Sequence, residues 1–140
     1  MPLDHAFYST WTPRAQALLR IVTAYLFIAH GTAKLFGAPH VGAFDNLQLF
    51  SLMGLAGIIE LVGSVLLLLG LFTRPAAFIM CGEMAFAYFI GHAGQGYVLL
   101  PLLNRGELAV LYCFVFLFFA AAGPGAWSVD GLRTRRVALA

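Results

Sequence analysis

Charge is what this sequence has least of. Of 140 residues, eight are Lys or Arg and six are Asp or Glu, 10% in all, while 61% are hydrophobic. A soluble domain carries about 25% charged residues. A wet surface cannot be built from this composition, and lipid is the solvent it implies. The net charge of +2 leaves no basic stripe for a nucleic-acid backbone. Cysteine is scarce as well. Cys81 and Cys113 lie in separate apolar runs with no CxxC, so they read as two buried small hydrophobes, and direct thiol–disulfide exchange is not expected. There is no GxSxG elbow, which removes that pattern of nucleophilic catalysis. No HxxxH or ExxH spacing supports a metal site built from His30, Glu60 and His92, and two lone histidines, His30 and His92, are too little to argue for haem. The first thirteen residues lack a basic n-region and a small-residue cleavage site, so a removable signal peptide is not expected.

What is present is a set of long apolar runs. Four stand out, at about residues 15–36, 52–72, 75–92 and 107–122, each near the roughly 20 residues a helix needs to cross the hydrocarbon core. They predict an all-α, single-domain integral membrane protein over residues 1–140: a four-helix bundle of up-down, antiparallel topology. Spans two and three are joined only by Thr73, Arg74 and Pro75, a link short enough to make them neighbours, and Pro75 suits a helix start, where its missing N–H is not needed. Trp11 and Trp127 would flank the bundle on one side as an aromatic belt. In that topology Arg14, Arg20, Arg74, Arg133, Arg135 and Arg136 share one side and Lys34 and Arg105 the other. The positive-inside bias then puts both termini in the cytoplasm. In span two, Gly54, Gly57 and Glu60 recur every third residue, placing small residues and a carboxylate on one helix-packing face.

The ionisable groups within or at the ends of the spans are Arg20, His30, Lys34, Glu60, Glu83, His92 and Glu107. A charge at mid-bilayer costs at least about 2.5–3.5 kcal/mol, so such groups pair, face the bundle interior or serve a function. Counting residues along the predicted topology puts His30, Lys34, Glu60, His92 and Glu107, with Arg105 beside it, in the outer half. Glu83 lies deeper, and Arg20 lies towards the cytoplasmic end, where it could snorkel. The reading is a partly hydrated outer pocket with Glu60, His30 and Lys34 as its chemical floor and His92, Glu107, Arg105 and Glu83 as ligand contacts. Plainer roles stand beside it. Lys34 and His92 are near enough to helix ends to reach headgroups, Glu107 suits a helix N-terminus, and Glu60 with His30 could be a pair that fixes register.

Several segments resemble the DoxX family of small bacterial membrane proteins: HGTAK at 30–34, GIIELVG at 57–63, GLFTRP at 70–75, GEMA at 82–85, GHA at 91–93, NRGELAVLY at 104–112 and GPGAWSVD at 123–130. The resemblance covers about residues 20–130. It implies a four-helix protein of the bacterial inner membrane, associated with oxidoreduction and in particular with quinone. It carries over no catalytic residue. Three functions follow as expectations. One is a redox-linked subunit whose outer pocket takes a quinone headgroup, with Glu60 or His30 exchanging its proton and Lys34 facing the reduced oxygen. A second is a small transporter for a polar solute or proton along Glu60 and Glu83. A third is an accessory subunit of a larger membrane complex. Beyond the lipid bilayer, the expected partners are further copies of the chain or the other subunits of such a complex.

Overall fold

A computed structural model describes the backbone of residues 2–138 and the side chains of residues 5–134. Arg135 and Arg136, expected as topology anchors, fall outside the described side chains. The described chain is all-helical: α1 (Pro2–Phe36), α2 (Leu52–Leu69), α3 (Thr73–Ala87), α4 (Glu107–Ala122) and α5 (Val129–Ala138), with no strand among the described residues. Three apolar helical stretches, His5–Phe36, Leu52–Leu69 and Thr73–Gln95, are long enough to cross a membrane. The fourth, α4, has 16 residues and spans about 24 Å, short of the roughly 30 Å hydrocarbon core.

Helix ends follow local chemistry. Ser51 caps α2, its hydroxyl accepting from the Gly54 N–H at 3.1 Å. Gly70 ends the helix in the left-handed region at φ 64°, where glycine carries no Cβ penalty. The Leu71 N–H closes the end on the Leu66 carbonyl at 2.9 Å. Phe72 turns the chain at φ 48°, and α3 begins at once, with Pro75 inside its first turn. The first helix departs from expectation. It starts at Pro2 rather than near residue 15 and holds Pro13 within it. The third run remains helical beyond Ala87 but widens at Tyr88–His92, where bonds reach one residue further back than in an α-helix.

The core is apolar and interdigitated. Ala24 and Phe27 of α1, Leu67 of α2, Ala77, Met80 and Met84 of α3, and Phe116 and Phe119 of α4 form one buried cluster. The Phe27 ring centroid lies 4.8 Å from that of Tyr112 and 5.0 Å from that of Phe116. Exposed Leu, Phe, Ile and Val side chains line the outside, as lipid-facing helices require.

One end is held by a polar knot that sequence reading misplaced. Arg20 does not snorkel: it is 0% exposed. Its guanidinium donates to the carbonyls of Leu67 at 2.5 Å and Leu68 at 2.8 Å, and to those of Pro124 at 2.9 Å, Ala126 at 3.3 Å and Trp127 at 2.8 Å. The carbonyls at the end of α2 and the backbone of the 124–127 strap thus converge on one cation, close to the negative end of the α2 dipole. Gly70 makes room, since a Cβ there would lie 2.5 Å from the Ser128 Cβ and 3.1 Å from the Arg20 Cζ. The same tail caps α3, for Asp130 accepts from the N–H groups of Phe72 at 3.0 Å and Thr73 at 2.9 Å. Arg74 in turn donates to the carbonyls of Ala120 and Ala121 at the end of α4. Trp11 and Trp127 are both exposed at this end, which the Ala126 N–H bond to the Pro13 carbonyl, 2.9 Å, draws together.

Two outcomes follow. Arg20→Met removes a shared donor from five carbonyls, so thermal unfolding in detergent should show a loss of at least about 3 kcal/mol. Burial acts to raise the Asp130 carboxyl, but the Thr73 and Phe72 N–H bonds outweigh it and hold the group below its ordinary value of 3.8. A depressed carboxyl stabilises the fold fully above the ordinary value and loses that contribution as pH falls through the folded one. Wild-type stability should therefore fall more steeply below about pH 4 than that of Asp130→Asn, which at neutral pH should be weaker by about 0.5–2 kcal/mol, the usual worth of a cap. Melting curves across pH measure both.

Candidate functional site

The far end of the bundle holds a charged cluster, and glycines put it there. Gly31 of α1 lies so close to α2 that a Cβ would stand 2.7 Å from the Leu61 nitrogen. A Cβ at Gly57 would lie 3.0 Å from the Lys34 Cβ. Small residues thus let α1 and α2 approach closely, and Lys34 meets Glu60. Its Nζ lies 2.5 Å from the Glu60 Oε1, with the two side chains only 10% and 2% exposed. Between α2 and α3, Gly63 accommodates Met80, whose Sδ would lie 2.5 Å from a Cβ at that glycine. Glu60 comes three residues before Gly63 and Glu83 three after Met80, so the same antiparallel seam brings the two carboxyls near each other.

The cluster therefore holds one ammonium and two carboxyls. Glu60 Oε2 and Glu83 Oε2 are both buried without a hydrogen-bond partner. Ser64 does not supply one, since its hydroxyl donates to the Glu60 backbone carbonyl. On the loop side of Lys34 lies a pocket of about 200 Å³ lined by Ala33, Lys34, Gly37, His40, Phe44 and Asp45. The Phe44 ring centroid is 5.7 Å from the ammonium, and His40 Nε2 meets Asp45 Oδ1 at 2.8 Å on the exposed rim. A larger cavity, about 540 Å³, lies at the opposite end beside Arg14, Trp127 and Leu132. It holds no acid–base cluster.

The other expected residues stand apart. His30 is exposed and packs by its ring, 5.4 Å from that of Phe27 and 6.5 Å from that of Tyr112; its exposure and ring packing set it off from the Lys34–Glu60 pair. His92 is tied to a loop, with Nδ1 3.1 Å from the Asn104 carbonyl. Arg105 and Glu107 are exposed; Glu107 opens α4, the position its macrodipole favours for an acid. Sequence reading missed the residue that organises this loop. Buried Asn104 donates to the Tyr88 hydroxyl at 3.1 Å and the Tyr97 carbonyl at 3.3 Å, and accepts from the Gly106 N–H at 2.9 Å. Asn104 lies in the NRGELAVLY segment, but a polar residue in a loop gives no sign that it will be buried.

Cys81 and Cys113, expected as buried small hydrophobes, pack partly buried against the core and are in contact, with their Sγ atoms 3.6 Å apart across α3 and α4. Thirty-two positions separate them, and only helix packing, which sequence spacing does not show, brings them together. Among the described residues no three His, Cys, Asp or Glu side chains gather on one metal position.

Long apolar helices around a buried lysine–carboxylate cluster define a polytopic membrane protein. The family profile described as DoxX matches residues 15–93. A protein of Haemophilus influenzae described as uncharacterized is 52% identical over 122 residues, covering 86% of this chain and 91% of that one. An uncharacterized membrane protein of Mycobacterium tuberculosis is 27% identical over 139 residues, covering 89% and 84%. No solved structure matches significantly. The chain belongs to the DoxX family.

The cluster yields a direct energetic expectation. Lys34→Met strips the cation from a buried carboxylate and should cost about 3–5 kcal/mol, whereas Lys34→Met with Glu60→Leu removes both charges and should recover most of that loss. A double-mutant cycle on thermal stability in detergent measures the difference. An additive double variant would show that the two side chains do not interact.

Proposed function

We propose that this protein is a redox-linked subunit of the bacterial inner membrane. Its four spans run up-down and antiparallel as one unit, with both termini cytoplasmic, and it binds the headgroup of a lipid-dissolved quinone at Lys34, Glu60 and Glu83. The pairings of Lys34 with Glu60 and of Gly63 with Met80 support the up-down arrangement. The basic residues at the Arg20 end support a cytoplasmic placement of that end.

The observation that carries the functional reading is the pair of orphaned oxygens. A buried acceptor without a donor costs about 1–3 kcal/mol, and here two such oxygens lie in one cluster beside a lysine. A hydroquinone fits that deficit, because its hydroxyls donate to carboxylates and its oxidation releases protons that carboxylates accept. A quinone fits it as well, since its carbonyl accepts from the Lys34 ammonium. Glu60 and Glu83 then hold and pass the proton, and Lys34 orients the ring oxygen. His30, Arg105, His92 and Glu107 do not join this chemistry. Their roles are aromatic packing for His30, loop anchoring for His92, and surface positions for Arg105 and Glu107.

The geometry weighs against the transporter. Inward of Ser64 the path meets Leu67, Met80, Phe116 and Phe119, all 0% exposed and packed in one core. A through-path for a polar solute would have to open the best-packed part of the bundle.

The test is titration of the purified protein with a short-chain ubiquinone analogue, followed by intrinsic fluorescence or calorimetry. Wild type should bind, and Glu60→Gln and Glu83→Gln should each weaken binding of the reduced form at least tenfold while leaving the fold intact by circular dichroism. Equal binding by all three proteins, or none by wild type, overturns the reading.

A further inference from the structure

We propose that Cys81 and Cys113 form a reversible dithiol–disulfide couple inside the membrane. The two sulfurs are in contact at 3.6 Å, both are free, and each is partly exposed at the edge of the core. Among the described residues, each thiol's only hydrogen-bond partner is the other. A disulfide needs an S–S distance of about 2.05 Å, so the sulfurs must close by about 1.5 Å, within reach of side-chain rotation and a small helix adjustment.

The contact belongs to a fixed seam rather than a chance approach. Seven residues after Cys81 comes Tyr88, and seven before Cys113 comes Gly106. These two also meet, for a Cβ on Gly106 would lie 2.6 Å from the Tyr88 ring. Two contacts two helical turns apart in the same register hold α3 against α4. Tyr88 is itself fastened at its hydroxyl, which donates to the Val98 carbonyl at 2.7 Å and accepts from Asn104. The sulfurs therefore cannot drift apart by sliding of one helix without breaking the buried Asn104 network.

The chemistry balances with a two-electron acceptor of the quinone class. Two S–H bonds break and one S–S bond forms. Two electrons and two protons pass to the quinone oxygens, giving hydroquinone. Partial exposure on the lipid-facing edge gives a lipid-dissolved oxidant access that a water-soluble one lacks. The disulfide stands on the sulfur geometry alone, and only the identity of the oxidant rests on the function proposed above. Cys81 lies two positions from Glu83 on α3, nearly the opposite side of the helix. The couple is thus a second site, next to the carboxylate cluster but facing α4.

The experiment uses the full chain in membranes. The protein is treated with diamide or with a fully ring-substituted ubiquinone analogue, to which thiol addition is disfavoured. It is then denatured and labelled with a maleimide–polyethylene glycol that shifts its gel mobility once per free thiol. Untreated wild type should take two labels. Diamide should reduce this to none without producing dimers, and dithiothreitol should restore both. Cys81→Ser and Cys113→Ser should each keep one label after oxidation. Retention of two labels by oxidised wild type, or oxidation only to disulfide-linked dimers, overturns the proposal and leaves the thiols as packing groups. Closure by both oxidants, with one hydroquinone formed per chain, supports both the couple and the quinone-linked function. Closure by diamide but not by the quinone analogue upholds the couple and counts against the quinone reading.

Discussion

Without water, a buried charge must be answered by the protein itself, and Arg20 is where this fold meets that demand completely. Its three guanidinium nitrogens reach five carbonyls. Two of these belong to the last turn of α2, where carbonyls run short of helical donors, and three to the strap after α4. One side chain of α1 therefore closes a helix end and fastens the tail. The fastened tail places Asp130 on the first N–H groups of α3, and Arg74 at the head of α3 closes the end of α4. All four long helices are tied at this end by backbone acceptors and donors. Their mutual register is set there and carried along the glycine seams to the other end.

That register makes the contrast between the two charged sites informative. Arg20 has every neighbour it needs, and a fully satisfied buried polar group stiffens a structure and does little else. At the other end Glu60 is buried and Lys34 and Glu83 are partly buried, with one good ion pair and two oxygens left over. Both sites incur the desolvation of an ion, but only one is compensated. A site that keeps unsatisfied acceptors in a membrane either holds a proton between its carboxyls or awaits a donor.

How much of this was legible in the sequence depends on whether a feature is local. The second and fourth runs were read at 52–72 and 107–122 and form Leu52–Leu69 and Glu107–Ala122; the second ends early because Gly70 takes the left-handed region, a local signal. The Gly54, Gly57, Glu60 periodicity did announce a packing face, and Glu60 is buried on it. What stayed hidden was pairwise. Arg20 read as a snorkelling residue because nothing in its neighbourhood shows that carbonyls from residues 67 and 127 will surround it. Cys81 and Cys113 read only as small hydrophobes of separate runs, because nothing in either run shows that the two helices will bring them into contact. His30 and Lys34 share a helix face by spacing, yet one rotation step decides that Lys34 meets Glu60 while His30 meets aromatic rings. The N-terminal start of α1 was missed because polarity, not helix propensity, marked where the span began.

The short fourth helix bears on how anything reaches the cluster. At about 24 Å, α4 is shorter than the hydrocarbon core, and the residues before it are apolar and exposed. Leu99 is 91% exposed, with Leu100, Leu102 and Leu103 also exposed, in a segment whose backbone folds on itself: Leu100 N–H to the Tyr97 carbonyl, Leu103 N–H to the Leu100 carbonyl, Gly106 N–H to the Pro101 carbonyl. Irregular backbone tolerates headgroup depth when its polar groups are met internally in this way. Phe50, fully exposed before α2, gives the other loop the same character. The end nearest Lys34 is thus ringed by apolar loops over a charged interior. On the function proposed above, such a rim would be the face that a lipid-dissolved headgroup crosses to reach Lys34.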